Sequence, residues 1–184
     1  SIIADEMGLG KTVQAIGAAE LLRKSGLVSS VLIICPTSLK YQWQKEIEKF
    51  TDSSAVVIEG NPIRRAQMYK EDAFYKIVSY HAMNRDVRMK GEMYAECIIM
   101  DEVQRLKNWN TQIARSARHI HSDYSIVLSG TPLENKLEDL YSVMQLVDQY
   151  CLGPYYKFIE ETTVRDETGK VLSYRNLNKV SEKI

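Results

Sequence analysis

The stretch Ile2-Ile3-Ala4-Asp5-Glu6-Met7-Gly8-Leu9-Gly10-Lys11-Thr12 decides the fold. Two β-branched apolar residues run into a glycine-rich turn. Lysine and threonine then open a segment with helical periodicity. Strand, glycine turn and helix in that order make a phosphate-binding loop. Gly8 and Gly10 let the backbone curl with its N–H groups pointing inward. The helix that follows presents its N-terminus, about half a positive charge, to the same point. Asp5, Glu6, Met7, Gly8, Leu9, Gly10, Lys11 and Thr12 are therefore the candidate nucleotide-binding residues. Lys11 has the reach for β- and γ-phosphates, and the Thr12 hydroxyl suits Mg2+. One departure stands out: the general pattern starts with Gly where this chain has Asp5.

Outward from this loop, short apolar runs recur at 31–35, 55–58, 76–79, 97–100 and 125–128. They are continuous rather than alternating, as in strands buried on both faces of a parallel sheet. Helical periodicity lies between them. Residues 11–24 place Val13, Ile16, Glu20 and Leu21 on one stripe, with Gly26 as the stop. Leu39, Trp43, Ile47 and Phe50 form a second stripe, with Thr37 or Ser38 as N-cap. Thr111 caps a helix carrying Ile113, Ala114, Ala117 and Ile120. Leu137, Leu140, Tyr141, Met144 and Val147 form the last stripe. Each stripe reads as the core side of a helix. Alternating strands and helices predict an α/β fold, a three-layer αβα sandwich around a mostly parallel sheet. Such sheets bind ligands at the C-terminal ends of their strands. Residues 1–153 make this lobe. Residues 154–184 are a polar extension, with a hairpin expected around Asp166-Glu167-Thr168-Gly169.

Two further motifs fall at predicted strand ends. Cys97-Ile98-Ile99-Met100 runs into Asp101-Glu102, and adjacent side chains there point in different directions. Asp101 is placed to hold Mg2+ and Glu102 to orient an attacking water. Two carboxylates after a strand also read as an exposed acidic turn; the upstream phosphate loop decides between the readings. Downstream, Leu128-Ser129-Gly130-Thr131-Pro132 ends a strand in small hydroxyl residues. Alone it is a capped turn before a helix. Beside a nucleotide site, Ser129, Gly130 and Thr131 are candidates for a coupling switch, because hydroxyls exchange hydrogen-bond partners cheaply.

Bulk properties narrow the class. At 184 residues with 45% hydrophobic content, the chain can bury a core of its own. No apolar run approaches the ~20 residues of a membrane helix. Basic and acidic residues balance at 24 each, so nucleic-acid binding by bulk charge is excluded, though a local basic groove is not. Three widely spaced cysteines suggest neither a disulfide framework nor a zinc site. Cys35 and Cys97, inside apolar runs, read as reduced core residues of an intracellular protein. The chain opens without Met directly into a motif, as expected of a piece of a longer protein.

Taken in order, the motifs resemble those of the Swi/Snf family of superfamily-two helicase-like ATPases. The phosphate loop is followed by Cys35-Pro36-Thr37-Ser38-Leu39 with Trp43 and Glu46, then Ser79-Tyr80. Asp101-Glu102-Val103-Gln104-Arg105-Leu106-Lys107-Asn108 comes next, then Ser129-Gly130-Thr131-Pro132-Leu133-Glu134-Asn135. The resemblance runs from residue 1 to about 155. It implies a RecA-like P-loop lobe, ATP and Mg2+ as cofactors, and hydrolysis coupled to translocation along double-stranded DNA. Lys11, Asp101, Glu102 and Gln104 would be the catalytic set, with Thr12 and Asp101 at the metal. Thr37, Ser38, Lys40, Ser79, Tyr80, Arg105 and Lys107 match segments that touch the DNA backbone, contacts that give affinity without sequence preference.

Two departures carry consequences. Gln104 stands where the family often has His; it donates and accepts like a neutral His but cannot become cationic. Glu134 stands where many relatives have Gln, which leans towards a bacterial cytoplasm rather than a nucleus. The second RecA-like lobe of the family, source of its arginine finger, lies outside this sequence, so the segment alone is expected to hydrolyse little. Two other functions compete. A strand-separating helicase or restriction-type motor would prefer single strands. A non-catalytic nucleotide module would dispense with Lys11, Asp101 or Glu102.

Overall fold

The computed structural model describes residues 2–3, 10–106, 111–130, 137–148, 150–168 and 170–181. Six strands form one sheet: β1 (Ile2–Ile3), β2 (Val31–Cys35), β3 (Ala55–Val57), β4 (Tyr75–Ser79), β5 (Met93–Met100) and β6 (Ile120–Leu128). Their order is β1-β6-β5-β2-β4-β3, and every pairing is parallel.

Strand β2 shows why the runs are continuous. Val31, Ile33 and Cys35 face one side and pack with Ala15, Ile16 and Ala19 of α1 (Lys11–Lys24) and Trp43 and Ile47 of α2 (Lys40–Phe50). Leu32 and Ile34 face the other side. There they meet Tyr80, Met83 and Val87 of α4 (Tyr80–Lys90), Ala114 and Ala117 of α5 (Gln112–Ala117) and Val143 of α6 (Leu137–Val147). With helices on both faces, every residue of β2 is buried. The predicted three-layer α/β sandwich is observed, with its sheet fully parallel.

Several expectations are corrected. The buried face of α1 is Ala15, Ile16 and Ala19, while Val13 and Leu21 are exposed. Small residues let α1 lie close to the sheet, so its core side is not its most hydrophobic side. Phe50 is also exposed, leaving Trp43 and Ile47 as the core of α2. Neither Thr37 nor Ser38 caps α2 with its side chain; a 3-10 turn at Thr37–Leu39 leads into the helix instead. Ile120 opens β6 rather than closing α5. Thr111 does cap α5, its Oγ1 accepting from Ala114 N at 3.2 Å. Helices α3 (Pro62–Met68) and α4 were not anticipated.

After residue 153 the chain is more than a polar extension. The expected hairpin is there, β7 (Thr163–Arg165) against β8 (Val171–Tyr174). Helices α7 (Tyr155–Thr162) and α8 (Leu177–Ser181) flank it. Phe158 and Val180 from these helices join Tyr141, Met144 and Leu152 in a third apolar cluster. Sparse apolar residues conceal it: two buried side chains suffice because Tyr141 and Met144 of α6, with Leu152, supply the rest.

Candidate nucleotide site and the neighbouring cleft

Gly10 precedes α1 in the left-handed conformation, φ 76°, which only glycine adopts freely. Its carbonyl accepts from Gln14 N at 3.0 Å, so the helix begins directly at Lys11. Lys11 and Thr12 thus stand at the N-terminus of a 14-residue helix, where anions are favoured. Across a cleft of about 460 Å3 lie Asp101 and Glu102, at the C-terminal end of β5. Leu39, Gln42, Trp43 and Glu46 complete the wall. Of the predicted nucleotide-binding residues, Gly10, Lys11 and Thr12 come together here; Asp5 to Leu9 lie outside the described residues.

Asp101 is buried and held from three directions. Its backbone N–H donates to Ile34 O at 2.9 Å. Its carboxylate Oδ2 accepts from the buried Trp43 Nε1–H at 2.9 Å. Its carbonyl accepts from Tyr80 Oη at 2.7 Å. Burial raises the Asp101 carboxyl pKa above the ordinary value; the Trp43 N–H lowers it and the neighbouring Glu102 charge raises it again. Glu102, next along, has φ 54°, a left-handed backbone that costs a non-glycine residue about 1–2 kcal/mol. Such strain persists where the surroundings over-determine it.

Gln104 ties this acidic end to the next strand. Its Nε2 donates to Glu102 Oε2. Its Oε1 accepts from Ser129 Oγ at 3.1 Å and from Gly130 N at 3.3 Å. One neutral amide therefore uses both its donor and its acceptor to bridge the ends of β5 and β6. Of the candidate coupling residues, Ser129 and Gly130 both bond Gln104; Thr131 lies outside the described residues.

The candidate DNA-contact residues divide. Thr37, Lys40 and Ser79 line a second cleft of about 660 Å3, with Glu59, His81 and Arg85. Thr37 and Ser38 are exposed. Lys40 is buried and paired with Glu59 at 3.0 Å, which holds the Glu59 carboxyl below its usual range. Ser79 and Tyr80 are buried too: Ser79 Oγ caps α4 by accepting from Ala82 N, and Tyr80 bonds Asp101. Lys40, Ser79 and Tyr80 each have a polar partner within the chain, while Thr37 and Ser38 face solvent. Nothing is described for the Arg105 side chain, and Lys107 lies outside the described residues. His81 and Arg85, both exposed, were missed; no helix was expected at 80–90 to place them.

The donor set suits a magnesium nucleotide: an ammonium and a helix N-terminus for phosphates, and a hydroxyl and a carboxylate for a hard cation. Fold and site together define a RecA-like α/β lobe of the helicase-like ATPase class, the first of its two lobes. The family model for the SNF2-related domain matches residues 1–184, and the chain belongs to this family. It is 31% identical over 87% of its length to chromodomain-helicase-DNA-binding protein 8 of Danio rerio. It is 34% identical over 87% of its length to an uncharacterized ATP-dependent helicase of Mycoplasma pneumoniae. It spans only 7% and 16% of those two proteins. The Sulfolobus solfataricus SWI2/SNF2 ATPase core, solved in complex with dsDNA, superposes over the whole chain with a TM-score of 0.85 at 32% identity. The chain covers 38% of that structure.

Proposed function

We propose that this chain is the first ATP-binding lobe of a DNA-dependent ATPase that translocates on double-stranded DNA and remodels protein–DNA complexes. One observation carries the reading: Lys11 and Thr12 face Asp101 and Glu102 across a single cleft, with Gln104 linking Glu102 to Ser129 and Gly130. When bound, Mg2+·ATP supplies the phosphoanhydride to be cleaved and a cation that spreads its charge. Lys11 neutralises the β- and γ-phosphates. Thr12 and Asp101 hold the metal. Glu102 orients the water, and its bond to Gln104 makes that orientation depend on the Ser129–Gly130 turn.

Thr37 and Ser38, with the cleft containing Ser79, would follow the phosphate backbone of duplex DNA. Tracking along a backbone needs no base contacts, so binding is independent of sequence. The duplex reading draws its support from likeness to the archaeal core solved with dsDNA. A second RecA-like lobe supplies the missing half of the site, so the chain alone turns over little ATP. Both bacterial and animal relatives fit a protein working inside the cell, in a nucleoid or a nucleus.

Lys11→Ala is the direct test. In the full-length protein it is expected to weaken magnesium-nucleotide binding at least about tenfold, the loss of one charge-assisted contact. Displacement of a third strand from a duplex, driven by ATP, is expected to vanish with it. Unchanged nucleotide affinity in Lys11→Ala would refute the site; third-strand displacement that survives the substitution would refute the coupling.

A further inference from the structure

We infer that Trp43 and Tyr80 are positioning residues for the bound Mg2+: each holds Asp101 from a segment that faces the DNA cleft, so metal binding is tied to DNA engagement. The inference rests on the proposal above that Asp101 is the metal ligand.

An indole has a single N–H and no acceptor. Trp43 is 1% exposed, and its Nε1–H donates to Asp101 Oδ2. That fixes one carboxylate oxygen and, through it, the orientation of the group. The Glu102 backbone N–H bonds the same carboxylate, so the orientation it would present to a metal is set from two sides. Tyr80 acts on the same residue through the main chain. Its hydroxyl donates to the Asp101 carbonyl, within the peptide unit that leads to the strained Glu102. Fixing that carbonyl limits rotation of the peptide, and so holds Glu102 in its left-handed state.

The origin of the two donors gives the inference its content. Trp43 lies in α2, one turn beyond Thr37–Leu39. Tyr80 is the first residue of α4, directly after Ser79. Thr37 and Ser79 line the second cleft together. Two segments on opposite faces of the sheet therefore border one cleft through Thr37 and Ser79 and grip one aspartate through Trp43 and Tyr80. A shift of either segment on meeting a phosphate backbone alters the hold on Asp101. This connection is separate from the Gln104 bridge, which reaches Glu102 rather than Asp101.

The test uses full-length protein with a non-hydrolysable ATP analogue, and Mn2+ as the metal probe, free Mn2+ being read by electron paramagnetic resonance. Trp43→Phe keeps the ring packing and removes the N–H; Tyr80→Phe removes only the hydroxyl. Each is expected to weaken Mn2+ binding in the nucleotide complex by about tenfold, the worth of a buried hydrogen bond. In Tyr80→Phe, whose side chain does not line the nucleotide cleft, nucleotide binding in EDTA is expected to stay at the wild-type level, a split that a general packing defect would not give. Duplex DNA is expected to change Mn2+ affinity in the wild type and to change it less in Trp43→Phe. Wild-type Mn2+ affinity in both variants, or equal losses with and without metal, would overturn the inference alone. A wild-type protein that binds no Mn2+ with nucleotide would overturn the nucleotide site, and this inference with it.

Discussion

Glu102 combines a strained backbone with a proposed catalytic role. Its left-handed backbone is a conformation glycine would adopt freely, yet a carboxylate stands there. Replacing it by glycine removes about 1–2 kcal/mol of strain together with one hydrogen bond to Gln104. Glu102→Gly is therefore expected to unfold within about 1 kcal/mol of the wild type in urea while hydrolysis is lost. A stability loss above about 3 kcal/mol would show the carboxylate to be structural instead. Gln104 is the second such residue. Gln104→Glu brings a like charge against Glu102 and is expected to reduce duplex-stimulated turnover about tenfold, measured with saturating ATP. Sequence reading reached Asp101, Glu102 and Gln104 because polar residues interrupt an apolar strand at its end. It did not reach the bond from Trp43 to Asp101. A tryptophan on an apolar helical stripe reads as core, which it is, and its N–H partner lies 58 positions away.

At the scale of elements, the strands were legible, β5 and β6 only in their buried C-terminal halves, and some helices were not. A strand buried on both faces is a continuous apolar run, so β2 could be read to its last residue. Helix α3 hides its anchor in charge, and α4 meets it with a buried aspartate beside an apolar stripe of Tyr80, Met83 and Val87. Arg65 Nε donates to both Asp86 carboxylate oxygens, at 3.0 and 2.9 Å, its Nη2 donates to Oδ1 at 2.5 Å, and Tyr69 Oη donates to Oδ2 at 3.2 Å. Both charged residues are buried, so a pattern of apolar positions misses them. Burial, and then the Asp86 charge, push the Tyr69 phenol up, while Asp86 also raises the Arg65 guanidinium. Tyr69 therefore stays neutral and Arg65 charged. Asp86→Ala would strand a buried guanidinium and is expected to cost about 3–5 kcal/mol in urea unfolding. A cost below about 1 kcal/mol would mean that solvent reaches the pair. The same blindness hid α7 and α8, whose contribution to the core is Phe158 and Val180.

On the scale of the whole molecule, a parallel sheet gathers distant segments at one end. Thr12 and Asp101 are 89 positions apart in the chain and meet in one cleft because their elements both emerge at the C-terminal end of the sheet. The same end carries the second cleft, with Trp43 and Tyr80 between the two. Asp101 lines the nucleotide cleft and is bonded by Trp43 and Tyr80, whose segments border the second cleft, so nucleic acid bound there as proposed would influence the nucleotide site. The most direct measurement is the ATPase rate of the full-length protein with no DNA, with single-stranded DNA and with duplex DNA, beside Lys11→Ala. A duplex translocase gives strong stimulation by duplex, weaker stimulation by single strands, and none in Lys11→Ala. Stimulation mainly by single strands, or turnover that ignores DNA altogether, would rule out a duplex translocase.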